Sequence, residues 1–231
     1  MKQWYLYAAL LAAAVLFALG LWMMHESTLT MSPELTHVSA VVPILDAGHG
    51  GEDGGAVSVT GVAESGINLA IVRKLDQILG FCGITPLVLR SEDVSLHDPE
   101  AQTLREKKVS DLHNRVSAVE GCPNGVLISI HQNAYPDSRY HGAQVFFGRE
   151  EGSEALAQTV QNLLSIKLDP ENTRKAKEIP DTVYLMNHVT CPAILVECGF
   201  LSNPEEEQRL LLEEYQLQLA AVLAGAWLQW S

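Results

Sequence analysis

The longest apolar run in the chain lies at its amino-terminal end. Trp4–Met24 spans 21 residues, and every position except Gly20 is apolar. As a helix rising about 1.5 Å per residue, this run would be about 31 Å long, which matches a bilayer core of roughly 30 Å. Residues 1–24 are therefore predicted to form a signal anchor with one transmembrane helix. A cleaved signal peptide is the alternative, because Ala18–Gly20 resembles a cleavage site of small residues.

A polar stretch separates this run from the rest of the chain. Residues 25–40 lack clear periodicity and are predicted to form a linker. Lys2 and the amino terminus place positive charge before the apolar run, which favours a cytoplasmic amino terminus. We therefore expect residues 41–231 to lie outside the cytoplasm, anchored to the membrane, or secreted if the segment is cleaved.

From Val41 onward, short apolar runs alternate with segments of helical periodicity. The strand-like runs are Val41–Leu45, Ile84–Leu89, Gly125–Ile130, Ala143–Phe147, Thr182–Met186 and Ala193–Val196. The helical segments are 67–78, Leu104–Val119, Ser153–Leu168 and Pro204–Trp230. Continuous apolar strands separated by helices are typical of parallel sheets that are buried on both faces. The pattern predicts a single α/β domain over residues 41–231, with a largely parallel central sheet covered by helices on both faces.

Charge and cysteine content exclude several classes of function. The 231 residues include 15 Lys and Arg against 28 Asp and Glu, a net charge of −13. Such a surface repels phosphate backbones, so no nucleic-acid partner is expected. The four cysteines, Cys82, Cys122, Cys191 and Cys198, form no C-x-x-C pair, which excludes a zinc ribbon and a dithiol redox motif. Export would permit disulfides, but buried free thiols are the simpler expectation.

Three apolar runs lead directly into ionisable side chains. Asp46 and His49 follow the first run, His131 follows the third, and Glu197 follows the last. The carboxyl ends of parallel strands share one edge of a sheet, where ligands bind in open α/β folds. Glu64, at the start of the first helix, is expected at the same edge. Two imidazoles and two carboxylates are therefore predicted to converge there.

These side chains suit a catalytic zinc. Two His and one Glu leave a fourth position open for water, and the second Glu is free to act as a base. The glycine-rich segment around His49 keeps the edge accessible but lacks the spacing of a nucleotide-binding loop. Simpler readings remain for single residues: His49 and His131 as loop residues, and Glu64 as a partner of the helix dipole. Cys198 also leaves open a Cys-His hydrolase that uses His131.

Longer motifs around these residues resemble a known family. They are Leu45–Ala56 (LDAGHGGEDGGA), Glu64, Ser129–Ala134 (SIHQNA) and Val196–Asn203 (VECGFLSN). In this order and spacing they resemble the zinc-dependent N-acetylmuramoyl-L-alanine amidases of the Amidase_3 type, over about residues 41–230. The chain departs from the family pattern at Ala47, where Pro is common, and at Cys198, where an apolar residue is usual. Neither position is an expected ligand.

The resemblance implies a site and a reaction. It implies that His49, Glu64 and His131 hold Zn²⁺ and that Glu197 is catalytic. The reaction would be hydrolysis of the amide bond between N-acetylmuramic acid and L-alanine in peptidoglycan. Glu197 would take a proton from the attacking water and return it to the leaving nitrogen. We further expect Asn133 to orient the ligand loop or the substrate through its amide, with stabilisation of a turn as the open alternative.

A narrower resemblance suggests a biological role. Gly142–Gln144, Glu171–Lys177 and the single anchor without wall-binding repeats are similar to the sporulation amidases of this family. This implies work on spore-cortex peptidoglycan, before muramic-δ-lactam formation and germination. Arg174 and Lys175 are candidates to contact stem-peptide carboxylates, and solvated surface is the simpler interpretation of both. Two alternatives stay open, a general wall-remodelling amidase and a non-catalytic domain that binds peptidoglycan or a partner. The sequence leaves any regulatory protein partner unidentified.

Overall fold

The apolar run after Val41 forms the first strand of a central sheet. A computed structural model of the chain describes residues 41–231. The predicted anchor (1–24) and linker (25–40) lie outside the described residues. Within 41–231, no helix combines the length and apolar character needed to cross a membrane.

Strands and helices alternate along most of the described chain. The strands are β1 (Val42–Ala47), β2 (Leu87–Val88), β3 (Gly125–Asn133), β4 (Gln144–Phe147), β5 (Lys177–Glu178) and β6 (Ala193–Phe200). The helices are α1 (Glu64–Phe81), α2 (Leu104–Glu120), α3 (Ser153–Leu168), α4 (Tyr184–His188), α5 (Pro204–Leu211) and α6 (Glu213–Trp230). The strands form one sheet in the order β2-β1-β3-β6-β4-β5.

The central part of the sheet is parallel. β1 pairs in parallel with β2 and β3, and β3 pairs in parallel with β6. β4 runs antiparallel to β6, and β5 follows the direction of β4. Only residues 134–143 connect β3 to β4. This connection is shorter than the dozen or more residues that a parallel crossover needs, so the chain returns in the opposite direction.

Helices cover both faces of the sheet, as the continuous apolar strands predict. α1, α3 and α6 pack on one face, and α2 and α4 pack on the other. Along β3, Val126, Ile128 and Ile130 belong to the larger apolar core, whereas Leu127 belongs to the smaller core on the opposite face. The prediction of a single α/β domain with a largely parallel sheet is confirmed.

Three predicted elements differ in the structure. Thr182–Met186 was expected to be strand-like, but this region forms the short helix α4, in which the Asn187 side-chain amide donates to the Val183 carbonyl at 2.8 Å. The run Ile84–Leu89 shortens to β2, because Pro86 has no N–H to donate to a neighbouring strand. The helix predicted over Pro204–Trp230 is broken at Leu212, whose backbone is extended.

Candidate metal centre

His49 lies in the glycine-rich loop that follows β1. Its φ angle is 60°, in the left-handed region that non-glycine residues seldom adopt. A Cβ atom on Gly48 would lie 2.2 Å from the His131 ring, and one on Gly55 would lie 2.2 Å from Glu64 Oε1. The two glycines therefore leave the space in which the two imidazoles and the Glu64 carboxylate approach each other.

Glu64 begins α1, at the edge of the sheet where β1 and β3 end. Its Oε1 accepts from the Ala56 N–H at 2.8 Å, and its Oε2 accepts from the Gln132 N–H at 2.8 Å. Burial opposes ionisation of this carboxyl, but His131 and His49 hold its pKa well below the usual range. Glu64 is thus a buried carboxylate that is fixed in position by backbone donors.

The two histidines lie on either side of Glu64. His49 Nε2 is 3.0 Å from Glu64 Oε1, and His131 Nδ1 is 3.5 Å from Glu64 Oε2. One ligand atom from each of the three residues lies within 4.8 Å of the other two. Each imidazole is 19% exposed, so the group is reached from solvent. A catalytic zinc site uses three protein ligands and leaves one position open to solvent. Two imidazole nitrogens and one carboxylate oxygen provide such a set here, so the residues fit that ion.

The second ring nitrogen of His49 is held by a carboxylate. His49 Nδ1 is 2.9 Å from Asp53 Oδ2, and the Lys108 ammonium lies 3.4 Å from the same oxygen. Burial lowers the pKa of His49, but hydrogen bonds to Asp53 and Glu64 outweigh it and raise the pKa to about 9. A carboxylate behind a histidine fixes which nitrogen faces a metal and how the ring is oriented. This arrangement turns Nε2 of His49 toward Glu64.

Glu197 lies on β6, directly opposite His131 on β3. Its Oε2 atom is buried and has no hydrogen-bond partner among the described residues. Burial, reinforced by the Glu64 charge, raises the pKa of Glu197 to about 7, although His131 and His49 act in the opposite direction. A carboxyl that titrates near neutral pH beside a metal-competent group is suited to exchange protons with a substrate.

Asn133 and Arg174, the two residues predicted to position the substrate, make contacts outside the His49, Glu64 and His131 group. Asn133 ends β3, and its backbone carbonyl accepts from the Leu201 N–H at 2.8 Å. The Arg174 guanidinium lies 4.9 Å from the Phe200 ring centroid and donates to the His141 carbonyl. Arg174 lines a cavity of about 420 Å³ that does not include His49 or His131. The substrate-positioning role of both residues remains a prediction.

Asp46, which the sequence placed at the same edge, serves another purpose. It is 1% exposed, forms an ion pair with Arg115, and accepts from Ser129 Oγ at 2.6 Å. It therefore lies beneath the centre instead of facing it. Cys198 is buried too, and burial raises the pKa of its thiol far above the usual range. All four cysteines are free.

Several supporting residues were missed in the sequence. They are Asp53, Asn68, Arg90, Arg115 and Gln132, which bind the ligands or the loops that carry them. One of them carried a local signal: Asn68 lies four residues after Glu64, so one helix face carries both. The contact of Asp53 with His49 spans only four residues, but it lies in a loop, to which helical spacing does not apply. The contacts of Arg90, Arg115 and Gln132 join residues that are distant in sequence, and no spacing rule predicts them.

The family model described as N-acetylmuramoyl-L-alanine amidase, Amidase_3, matches residues 44–227. A Bacillus subtilis protein named germination-specific N-acetylmuramoyl-L-alanine amidase is 36% identical over 185 residues, which cover 80% of this chain and 77% of that protein.

Two solved structures are similar in fold and sequence. The CwlD amidase from Clostridioides difficile, in complex with the GerS lipoprotein, has a TM-score of 0.79 and 35% identity and covers 83% of this chain and 98% of its own. An N-acetylmuramoyl-L-alanine amidase from Clostridium difficile 630 has a TM-score of 0.71 and 31% identity, with 82% and 96% covered.

Proposed function

The chain belongs to the Amidase_3 family of N-acetylmuramoyl-L-alanine amidases, and from this membership we propose that it is a zinc-dependent enzyme of spore-cortex maturation. It hydrolyses the amide bond between N-acetylmuramic acid and L-alanine in peptidoglycan. One observation carries the zinc assignment: His49, Glu64 and His131 converge within 4.8 Å, and Oε2 of Glu197, the register partner of His131, has no hydrogen-bond partner within residues 41–231.

The three proposed ligands are His49, Glu64 and His131. A bound zinc ion supplies Lewis acidity and lowers the pKa of water to about 7. Glu64 contributes negative charge from a carboxylate that backbone N–H groups hold in place. Asp53 orients the His49 ring through Nδ1 and leaves Nε2 for the metal.

Glu197 is the proposed proton carrier. Its carboxylate accepts a proton from the attacking water and then donates one to the departing L-alanine nitrogen, which cannot leave as an anion. Burial favours the protonated form that the second step needs, and the nearby histidines favour the ionised form that the first step needs. A purely structural zinc site closes four ligands around the metal and needs no such base.

The spore-cortex role is supported by the named relatives. The similar B. subtilis protein is called germination-specific, and the similar C. difficile structure is a complex with a lipoprotein. We propose for this chain the same setting, with stem-peptide removal before muramic-δ-lactam formation. Attachment to the membrane through residues 1–24, an extracytoplasmic catalytic domain and a regulatory lipoprotein partner are parts of the same proposal.

Metal analysis combined with muropeptide digestion tests the enzyme mechanism. The purified protein should contain about one zinc per chain and release new N-acetylmuramic acid and L-alanine ends, and a chelator should abolish both. His49→Ala and His131→Ala should lose zinc. His141→Ala, an exposed histidine outside the centre, is the matched control and should keep it. A chain that cleaves peptidoglycan fully without metal would refute the zinc assignment.

Spore chemistry and cell fractionation test the biological role. Spores of a deletion strain should lack muramic-δ-lactam, and normal lactam content would assign the enzyme to general wall remodelling instead. The full chain should fractionate with membranes. A variant that lacks residues 1–24 should not.

A further inference from the structure

Two buried guanidinium groups lie beneath the loop that carries His49. Arg90 follows β2 and Arg115 lies on α2, and each is 2% exposed. Arg90 donates to the Ala47 carbonyl at 2.7 Å and to the Gly48 carbonyl at 3.0 Å. Arg115 donates to the Ala47 carbonyl at 3.0 Å and to the His49 carbonyl at 2.8 Å. The carbonyls of three consecutive residues, ending at His49, therefore all accept from arginine side chains.

Each arginine is itself tied to another part of the centre. Arg90 also donates to the Ser65 carbonyl at 2.9 Å, which links the His49 loop to the helix turn that carries Glu64. Arg115 pairs with Asp46 and Asp111, so its buried charge is compensated. The planar fork of a guanidinium makes several hydrogen bonds in fixed directions, which an ammonium group cannot reproduce.

The His49 backbone needs such a restraint. His49 adopts a positive φ angle that L-residues seldom adopt, and in this conformation its Nε2 lies 3.0 Å from Glu64 Oε1. Strained conformations of this kind persist only where the surroundings hold them in place. We propose that Arg90 and Arg115 are positioning residues that hold the His49 loop in its metal-binding conformation and so set the metal affinity. This inference rests on the proposed function of the centre.

Zinc affinity of Arg90→Lys and Arg115→Lys tests the proposal. Chelator competition should show zinc binding that is about 10- to 100-fold weaker than in the wild type, the range typical when partners of metal ligands are lost. The visible spectrum of the Co²⁺-substituted variants should shift, because His49 changes its orientation. Arg73→Lys is the matched control. It removes an exposed guanidinium that donates to the Ser91 carbonyl at 3.0 Å, outside the His49 loop, and should leave affinity and spectrum unchanged.

Amide hydrogen exchange distinguishes loss of the His49 loop conformation from loss of overall stability. In the metal-free variants, hydrogen exchange should accelerate at the Gly50 and Gly51 amides, which donate to Asp53 and Asp93. Exchange in α6 should not change. Arg90→Lys leaves the Asp46–Arg115 ion pair intact, so this variant decides the question if Arg115→Lys does not fold.

The experiments distinguish failure of the positioning role from failure of the metal assignment. Folded Arg90→Lys protein with wild-type zinc affinity and a wild-type Co²⁺ spectrum would overturn the positioning role while the metal assignment stands. A wild-type protein that binds no zinc would overturn both.

Discussion

Glu197 and His131 are register partners on two neighbouring parallel strands, β6 and β3. Directly paired residues of adjacent strands project to the same face of a sheet. The backbone hydrogen bonds of the sheet therefore fix the distance between the candidate base and one candidate ligand. The loop that carries His49 has no part in this relationship. Metal binding and proton transfer should consequently be separable by mutation.

Glu197→Gln is predicted to retain zinc and lose hydrolysis. The amide has nearly the shape of the carboxyl group but cannot accept the proton from water. General acid and base catalysis contributes about 10²- to 10⁴-fold, so the rate of muropeptide release should fall by at least about 10²-fold. Metal content and digestion rate are measured on the same sample.

Glu205→Gln is the matched control for that change. Glu205 is an exposed carboxylate in the first turn of α5 and should be replaceable without effect on rate. Near-normal turnover of the Glu197→Gln protein would refute the catalytic assignment.

The rate should fall on the acidic side of its pH profile, in a limb that reports the titration of Glu197. The carboxyl must be ionised to accept a proton, so activity should rise with pH through its pKa. Burial raises that pKa to about 7 in the metal-free chain, and a bound cation would lower it, so the limb should lie at or below pH 7. Values of kcat/KM between about pH 4.5 and 9 measure it. Glu197→Asp should move the limb, and Glu205→Asp should not; a limb that is the same in all three proteins would belong to another group.

The edge of the sheet at which the site forms was predictable, because helices separate the strands that lead into His49, His131 and Glu197, and strands connected through helices run parallel. Continuous apolar runs indicated buried parallel strands, and the residues after them fell at one edge. His49, His131 and Glu64 indeed come together there. The rule placed Asp46 at the end of β1 as well, but it does not tell which of several polar residues at a strand end faces solvent. Here Asp46 projects to the face where Arg115 lies, and the two form a buried pair.

The contacts that support the ligands were not predictable from one sequence. Arg90 is 42 residues from Gly48 in the sequence, and Arg115 is 66 residues from His49, although each arginine donates to the carbonyl of that residue. Such contacts depend on how strands are ordered in the sheet, which apolar periodicity does not encode. The break between α5 and α6 at Leu212 was not predictable either, because the sequence on both sides of it has helical periodicity.

Chelators, but not thiol reagents, are predicted to inactivate the enzyme. Burial keeps the pKa of Cys198 far above neutral pH, so this residue is a thiol and not the thiolate that a Cys-His hydrolase needs. Alkylation at pH 8 should modify the exposed Cys82 first and leave muropeptide release unchanged. Peptide mass spectrometry identifies the modified thiols. Rapid inactivation by alkylation together with indifference to chelators would support the cysteine mechanism instead.

Asp46→Asn is predicted to destabilise the fold strongly. The Arg115 guanidinium would keep Asp111 but lose its fully buried partner. Removal of one partner from a buried ion pair costs about 3 to 5 kcal/mol, and we expect about 3 kcal/mol because Asp111 remains. Urea unfolding of the metal-free chain measures the change. Asp137→Asn breaks a pair with Arg139 at the surface, where solvent screens the charges, and should leave the unfolding free energy close to that of the wild type.

The stabilisation that Asp46 contributes should depend on pH. Burial alone would raise the pKa of Asp46, but Arg115 and the Ser129 hydroxyl hold it below the usual value. A carboxyl with a lowered pKa in the folded state stabilises the protein above its unfolded pKa of about 4, and the stabilisation is lost as pH falls through the folded pKa. The difference in unfolding free energy between wild type and Asp46→Asn should therefore be constant between about pH 5 and 8 and should shrink below about pH 4. A difference that grows as the pH falls would show that the Asp46 carboxylate does not stabilise the fold through its charge.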